Sequence, residues 1–184
     1  MKNTLIVNLL GGSGVGKSTN SARLFAMLKE NGIDCELVTE YAKDMVWEGR
    51  KGVFDYQPYL FGKQLYRIQR VLGKVDVIIT DSPILLSVVY DKEGNENFKQ
   101  YVIDKFNQFN NLNVYLTRVV PFNPNGRNEK NVEEAKVIDN KIVQVLNENN
   151  ISYISVEGNQ NGCKRIFDII IEKFIVKNNI EGVN

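Results

Sequence analysis

The feature that most constrains this chain is an apolar run followed at once by a glycine-rich segment. Residues 5–10 read LIVNLL, the length and composition of a strand buried in a parallel sheet. Residues 11–18 read GGSGVGKS and meet every position of the pattern Gly-x-x-x-x-Gly-Lys-Ser/Thr. Ala22, Phe25 and Leu28 then follow at helical spacing, and Gly32 favours the end of that helix. The segment predicts a strand, a phosphate-binding loop and a helix, in that order.

Residues 11–18, the P-loop, have the chemistry of a polyphosphate site. Their glycines let the backbone curl so that several N–H groups point at one anion, and the following helix adds the positive end of its dipole. In this pattern Lys17 reaches the β- and γ-phosphates, and the Ser18 hydroxyl holds Mg²⁺. We predict that a nucleoside triphosphate is bound by Gly11, Gly12, Ser13, Gly14, Val15, Gly16, Lys17, Ser18 and Thr19.

The amino-acid composition limits which catalytic groups are possible and which cellular compartment is expected. The chain has 184 residues, enough for one domain, and its net charge of +1 gives no overall attraction to nucleic acid. It contains no histidine, so carboxylates are left as proton acceptors. Two cysteines far apart in the chain, Cys35 and Cys163, suit a reducing compartment. No apolar run has the length of a membrane span, and we expect a cytoplasmic protein.

Strand and helix patterns alternate along the chain, which predicts an α/β fold with a parallel sheet covered on both faces. Helical periodicity marks residues 57–73, 97–109 and 163–177. A further helix is opened by Asn131, with Glu134 three residues on as in a capping box. The predicted strands are residues 4–10, 35–39, 75–80, 113–118 and 151–156. Ligands of such sheets bind beyond the carboxyl ends of the strands, so the residues that follow each strand are the candidates for chemistry.

Two carboxylates follow predicted strands. Asp81 ends the third strand, where it can hold the water shell of Mg²⁺ opposite Ser18, or cap the helix that Pro83 begins. Glu40 follows the second strand, where it can accept the proton of an attacking hydroxyl or bind the substrate's hydroxyls. The alternative for Glu40 is a first-turn glutamate favoured by the helix dipole. Either carboxylate can be the general base, and Tyr41 can stack on a nucleobase or pack in the core.

The loop after the fourth strand carries two arginines, Arg118 and Arg127. Residues 119–130 read VVPFNPNGRNEK, a long irregular segment that predicts a hinged lid over about 119–131. Arginines on such a cover neutralise the γ-phosphate in phosphoryl transfer, and the alternative is two solvated arginines. After the fifth strand, Asn159 is predicted to contact the adenine.

The segment between the second and third strands is basic. Residues 41–75 hold seven basic and three acidic side chains, a net charge of +4. The polar face of the 57–73 helix presents Lys63, Arg67 and Arg70 with Gln64 beside them. This face is either an ordinary solvated surface or the binding site of an anionic acceptor, a nucleotide phosphate or a DNA backbone. We predict substrate binding by Glu40, Tyr41, Gln64, Arg67 and Arg70.

With these motifs assembled, the chain resembles P-loop kinases of the branch that contains nicotinamide riboside kinase domains and related phage kinases. The resemblance covers nearly the whole length and rests on GGSGVGKST, TEYAKD after the second strand, TDSP after the third and VPFNPNGRNE after the fourth. It implies a three-layer P-loop NTPase fold in one domain over residues 1–184, a strand order of 2-3-1-4-5, and ATP with Mg²⁺ as the phosphate donor.

The resemblance also suggests an acceptor. Some phage members phosphorylate the 5-hydroxymethyl group of modified uracil in DNA, and we expect that reaction here, by a monomer or homodimer. A free nucleoside, a nucleotide or nicotinamide riboside is the alternative acceptor. A P-loop ATPase or switch without an acceptor also stays open, as does a DNA-binding module. A GTPase would have Asn-Lys-x-Asp after the fourth strand, where this chain has LTRVVP.

Overall fold

The sheet has five parallel strands. The computed structural model describes residues 2–123 and 129–181, without the side chains of residues 51 and 175–181. The strands are β1 (Leu5–Leu10), β2 (Cys35–Val38), β3 (Val77–Thr80), β4 (Asn110–Thr117) and β5 (Ile154–Glu157). They lie in the order β2-β3-β1-β4-β5, which confirms the order expected from the resemblance.

Helices fill the connections between the strands. They are α1 (Lys17–Glu30), α2 (Tyr41–Trp47), a 3₁₀ helix (Lys51–Asp55), α3 (Gln57–Gln69), α4 (Leu86–Tyr90), α5 (Glu96–Asn107), α6 (Val132–Glu148) and α7 (Gln160–Glu181). The predicted helices are present with shifted ends. α7 begins three residues earlier than predicted, because the Asn159 side chain accepts a hydrogen bond from the Gly162 N–H at 3.0 Å and so caps it.

The helices cover both faces of the sheet, which makes the predicted three layers. Along β1, Ile6 and Leu10 face one core, whereas Leu5, Val7 and Leu9 face the other. α1 and α7 pack on the second face, and α3, α4, α5 and α6 pack on the first. β1 is buried along its whole length, as expected of a central parallel strand.

A group of hydrogen-bonded asparagines, of which Asn8 and Asn113 are buried, explains why β4 begins at Asn110 rather than at the predicted residue 113. The Asn8 amide donates to Asn111 Oδ1 at 2.9 Å and to Asn113 Oδ1 at 3.0 Å. Asn111 and Asn113 in turn donate to the carbonyls of Phe106 and Ser152. These amides satisfy one another inside the sheet, so polar residues that look like a loop are tolerated in a strand.

The topology brings three strand ends to one edge. Thr80 at the end of β3 is in register with Asn8 of β1 and with Val38 of β2. The residues that leave these strands, including Glu40 and Asp81, therefore approach the P-loop that follows β1. Among the described helices, none combines the length and the hydropathy that crossing a bilayer demands.

Candidate functional site

The P-loop curves between β1 and α1. Gly14 and Gly16 have φ of 77° and 99°, in the left-handed region where glycine is favoured. Lys17 opens α1 and, with Ser18, belongs to the first turn, whose N–H groups have no partner within the helix. The loop and the helix end together form a nest of N–H donors suited to an anion.

The Lys17 ammonium lies over this loop. Its Nζ donates hydrogen bonds to the carbonyls of Gly11 at 2.6 Å and of Gly12 at 2.9 Å. Burial lowers the pKa of Lys17, and nearby carboxylates, those of Glu40 and Asp81 foremost, act in the opposite direction. The lysine is thus a desolvated cation whose charge is partly compensated by nearby carboxylates.

The turn after β5 supports the P-loop from behind. A Cβ on Gly158 would lie 1.9 Å from the Val15 carbonyl oxygen, and one on Gly16 would lie 2.5 Å from the Gly158 oxygen. Asn159, the predicted adenine contact, uses its side chain to cap α7 and to donate to Glu157 Oε2 at 2.6 Å. It does not line the cavity described next.

A cavity of about 730 Å³ extends from the P-loop to the space between α2, α3 and α4. The P-loop side is lined by Ser13, Gly14, Gly16, Lys17, Ser18 and Thr19. Polar groups on the far side include Glu40, Tyr41, Gln64, Ser82 and Ser87, and apolar walls come from Val46, Phe54, Leu60, Leu86 and Ile138. A concave, mixed surface of this size accommodates a small organic ligand.

The two predicted carboxylates have different surroundings. Burial raises the pKa of Glu40, while Lys17 acts to lower it. Asp81 is 4% exposed, and its Oδ1 has no hydrogen-bond partner among the described residues. A buried carboxylate oxygen without a partner is costly, and a cation is a partner that would remove the cost.

Gln64 and Arg67 hold the segment that carries Glu40. Gln64 Oε1 accepts from the Tyr41 N–H at 3.0 Å, and its Nε2 donates to the Thr39 carbonyl at 3.3 Å. Arg67 donates to the same carbonyl at 3.1 Å, pairs with Asp44, and lies 5.1 Å from the centre of the Tyr41 ring. Of the predicted substrate-binding residues, Glu40, Tyr41 and Gln64 line the cavity, and Arg67 and Arg70 do not.

Arg118 also lies outside the cavity. Its guanidinium pairs with Asp139 and donates to the Ser13 carbonyl at 2.8 Å, on the side of the P-loop next to α6. Arg127, the other predicted arginine, lies outside the described residues, as do the other residues of 124–128 within the predicted lid.

Three residues that the sequence analysis missed belong to this region. Glu129 is 7% exposed and lines the cavity. It accepts a hydrogen bond from the hydroxyl of the second residue, Tyr90, at 3.3 Å, and burial raises the pKa of Tyr90. Asp139 is 8% exposed and accepts from the Gly12 N–H at 2.6 Å. A signal for Asp139 was available, since an aspartate interrupts the buried helical face that the sequence spacing marks out: Ala135, Ile142 and Leu146.

A metal ion at this site would need oxygen ligands from the bound molecule or from water. Within the described residues, no group of three His, Cys, Asp or Glu side chains is arranged to hold a metal ion. A divalent cation at Ser18 and Asp81 would therefore complete its shell with ligand or water oxygens. The site combines an anion nest, a lysine, and carboxylates facing a separate chamber.

Comparisons with known proteins agree with this fold. A family model described as "AAA domain" matches residues 6–161. A search of curated proteins gave no significant match. Among solved structures, a deoxyadenosine kinase from M. mycoides with bound dATP is 18% identical, with a TM-score of 0.54 over 92% of this chain and 98% of that chain. A NadR protein in complex with NR is 15% identical, with a TM-score of 0.65 over 92% of this chain and 50% of that chain. At these identities the likeness is one of fold.

Proposed function

The chain belongs to the AAA domain family, and on that premise we propose that it is an ATP-dependent kinase that phosphorylates a hydroxyl of a nucleoside-like acceptor. One observation carries the proposal. A single cavity joins the P-loop to a second chamber, and that chamber contains a half-buried carboxylate, Glu40, with a raised pKa. An enzyme that transfers phosphate to water needs no such chamber.

In the proposed reaction the acceptor oxygen attacks the γ-phosphorus in line, the bond to the β–γ bridging oxygen breaks, and ADP leaves. The P-loop N–H groups and Lys17 hold the β- and γ-phosphates. The acceptor proton goes to Glu40, because a base with a raised pKa is matched to proton transfer near neutral pH. Asp81 is the other candidate base, and Arg127 remains a candidate to neutralise the γ-phosphate.

The residues present fit a magnesium ion. Ser18 lines the cavity, and the unpartnered Oδ1 of Asp81 is a buried oxygen ligand of the kind that this cation prefers. Mg²⁺ bound there would neutralise phosphate charge. That assignment would make Asp81 a cation-binding residue and leave Glu40 as the base.

The names of two solved structures with a similar fold support the proposal of a nucleoside-like acceptor. One of them is a deoxyadenosine kinase with dATP, and the other is a complex with NR. In this chain, Tyr41 provides an aromatic surface at the cavity, and the carboxylates of Glu40 and Glu129 can accept hydrogen bonds from sugar hydroxyls.

A second observation favours an acceptor within DNA, as in the phage kinases that modify 5-hydroxymethyluracil. Four exposed side chains, alternately aromatic and basic, follow one face of α3 and end at its C-cap residue, Arg70. We call them the α3 stripe: Tyr59, Lys63, Tyr66 and Arg70. Tyr66 is 68% exposed, and the Tyr59 hydroxyl lies 2.8 Å from that of the cavity residue Tyr41. Exposed aromatics and cations in alternation suit stacking on bases and pairing with phosphates.

Labelled ATP tests the proposal directly. The protein and its Lys17→Ala variant are incubated with γ-labelled ATP and a panel of deoxynucleosides, their monophosphates, nicotinamide riboside, and DNA with or without 5-hydroxymethyluracil. Label on an added acceptor, absent with Lys17→Ala, supports a kinase. Label on inorganic phosphate alone across the whole panel identifies an ATPase and contradicts the proposal.

The choice between DNA and a free nucleoside has its own test. Tyr66→Ala combined with Arg70→Ser should reduce transfer to DNA about tenfold or more, because a stacked base contributes about 1–3 kcal/mol. Transfer to a free nucleoside would not depend on the α3 stripe. Tyr101→Ala, which removes a half-exposed tyrosine of α5, is the matched control. Transfer to modified DNA that is insensitive to the double change would exclude the α3 stripe as the DNA contact.

A further inference from the structure

One side chain of α6 reaches across to the P-loop. Asp139 Oδ1 accepts a hydrogen bond from the Gly12 N–H at 2.6 Å. Its other oxygen, Oδ2, accepts from Arg118 Nε at 3.2 Å and from Nη2 at 2.8 Å. Arg118 Nη1 then donates to the Ser13 carbonyl at 2.8 Å. Two side chains thus fix a backbone N–H and a backbone carbonyl of consecutive P-loop residues.

The pair is secluded from solvent. The side chain of Arg118 is 12% exposed and that of Asp139 is 11% exposed, whereas most ion pairs of the described residues lie at the surface. An exposed pair contributes little, but removing one partner of a buried pair leaves an uncompensated charge. Two N–H groups of the guanidinium donate to the same carboxylate oxygen, Oδ2, and these charge-assisted hydrogen bonds fix the direction of the pair.

The packing at Gly12 leaves little freedom for α6 to move. A Cβ at Gly12 would lie 2.6 Å from the Ala135 carbonyl oxygen and 2.7 Å from Asp139 Oδ1. The helix backbone and the carboxylate are thus both packed directly against the loop. Any displacement of the first turns of α6 toward the loop would therefore shift the backbone at Gly12.

We propose that Arg118 and Asp139 are positioning residues that fix the first half of the P-loop, so that its remaining N–H groups converge on the polyphosphate before it binds. The link between the pair and ATP rests on the proposed function, but the effect of the pair on the loop is a property of the ligand-free protein. Arg118 also neutralises the Asp139 carboxylate, which lies against Gly12 and would otherwise repel a polyphosphate bound at the P-loop.

This role differs from the one that the sequence suggests for Arg118. An arginine that meets the γ-phosphate only during transfer lowers kcat when it is removed and leaves ATP affinity unchanged. Removing a positioning arginine weakens ATP binding itself, because the loop must then be ordered at the expense of binding free energy. Measurements of ATP affinity and of hydrogen exchange at the P-loop amides therefore distinguish the two roles, because only loss of a positioning arginine changes both.

The test uses hydrogen exchange of the ligand-free protein, followed by NMR, together with calorimetric titration of ATP. In Arg118→Met the Gly12 amide should exchange at least about tenfold faster, because each 1.4 kcal/mol of lost protection is a factor of ten. ATP affinity should fall about tenfold to a hundredfold by the same conversion, as expected for a buried pair that loses a partner. Arg118→Lys keeps the charge but cannot engage Asp139 and Ser13 together, so its exchange should be intermediate.

Lys2→Met is the control for loss of a cation, because it removes exposed ion pairs with Asp34 and Asp76 at the opposite end of the strands from the P-loop. It should leave both readouts at wild-type values. Unchanged Gly12 exchange in both Arg118 variants would overturn the positioning role. If the wild-type protein fails to bind ATP, the proposed function fails, while the exchange data still decide whether the pair fixes the loop. If Arg118→Met does not fold, Arg118→Lys carries the same decision.

Discussion

Gly158 lies so close to the P-loop that its missing side chain is part of the site. Any Cβ there would lie 1.9 Å from the Val15 carbonyl oxygen, a backbone atom that can yield only if the loop moves. Gly158→Ala should therefore lower the thermal midpoint by several degrees and abolish ATP binding, since overpacking costs about 1–3 kcal/mol.

Gly62→Ala is a control for this change. Gly62 lies within α3, and a Cβ there would have no neighbour within 4 Å. The substitution should stabilise the protein by up to about 1 kcal/mol, through helix propensity alone. Equal effects of the two alanines in thermal melting would contradict the steric argument at Gly158.

The ionisation of Glu40 makes stability depend on pH. Burial raises its pKa above the ordinary 4.5, so the folded protein binds the proton more tightly than the unfolded chain does. The stability that this provides is fully present below pH 4.5 and is lost as the pH rises through the raised pKa. Glu40→Gln should thus raise the thermal midpoint at neutral pH and have little effect at pH 4.

The same substitution separates stability from catalysis. If Glu40 is the base, Glu40→Gln should lower kcat about a hundredfold or more, with ATP affinity retained. The wild-type rate should fall as the pH drops through the raised pKa, because the base must be ionised. Glu36→Gln, at an exposed position of β2, should change neither property. A variant with normal kcat would assign the base to Asp81.

At the scale of elements, α6 is the helix on which the site depends. Asn131 Oδ1 accepts from the Glu134 N–H at 2.9 Å, so the N-cap expected from the sequence is present. The return bond of the capping box is shifted by one residue, because Glu134 Oε2 accepts from the Lys130 N–H at 2.9 Å. Asn131→Ala should cost about 1 kcal/mol in the free energy of unfolding, measured with urea. It should also weaken ATP binding, because the first turns of α6 pack on Gly12.

α5 offers a matched cap away from the P-loop. Asn95 Oδ1 accepts from the Phe98 N–H at 3.1 Å. Asn95→Ala should cost a similar amount in stability with no change in ATP affinity. If both substitutions weaken ATP binding equally, the loss reflects general destabilisation, and α6 has no special coupling to the loop.

At the scale of the whole molecule, ligand binding should appear as stability. Mg·ATP at a hundred times its Kd would add about 2.7 kcal/mol to the free energy of unfolding, a rise of about 5–10 °C in the thermal midpoint for a chain of this size. Lys17→Ala should not lower the ligand-free midpoint, since burial lowers the pKa of Lys17 and its charge is unfavourable to the fold. The variant should show no rise with ATP. An unchanged wild-type midpoint at millimolar ATP would contradict a nucleotide site.

Much of this architecture can be predicted from local sequence patterns. The P-loop spacing, the apolar strands and the periodicity of the helices predicted the layers, because a buried strand and an amphipathic helix each have a characteristic period along the chain. Glu40 and Asp81 were predicted as site residues because parallel strands place their carboxyl ends at one edge. The early start of β4 was missed, since the asparagines that support it are satisfied only by partners far away in the chain.

Only the tertiary structure decided what the candidate residues touch. Arg118, Arg67 and Asn159 carry the residue types of ligand contacts, yet none of them lines the cavity, and each uses its polar atoms on protein partners. Asp139 and Glu129 enter the region from segments that follow the fourth strand. A sequence fixes which groups a chain possesses and how they repeat, whereas the direction of a side chain depends on neighbours that packing brings from a distance.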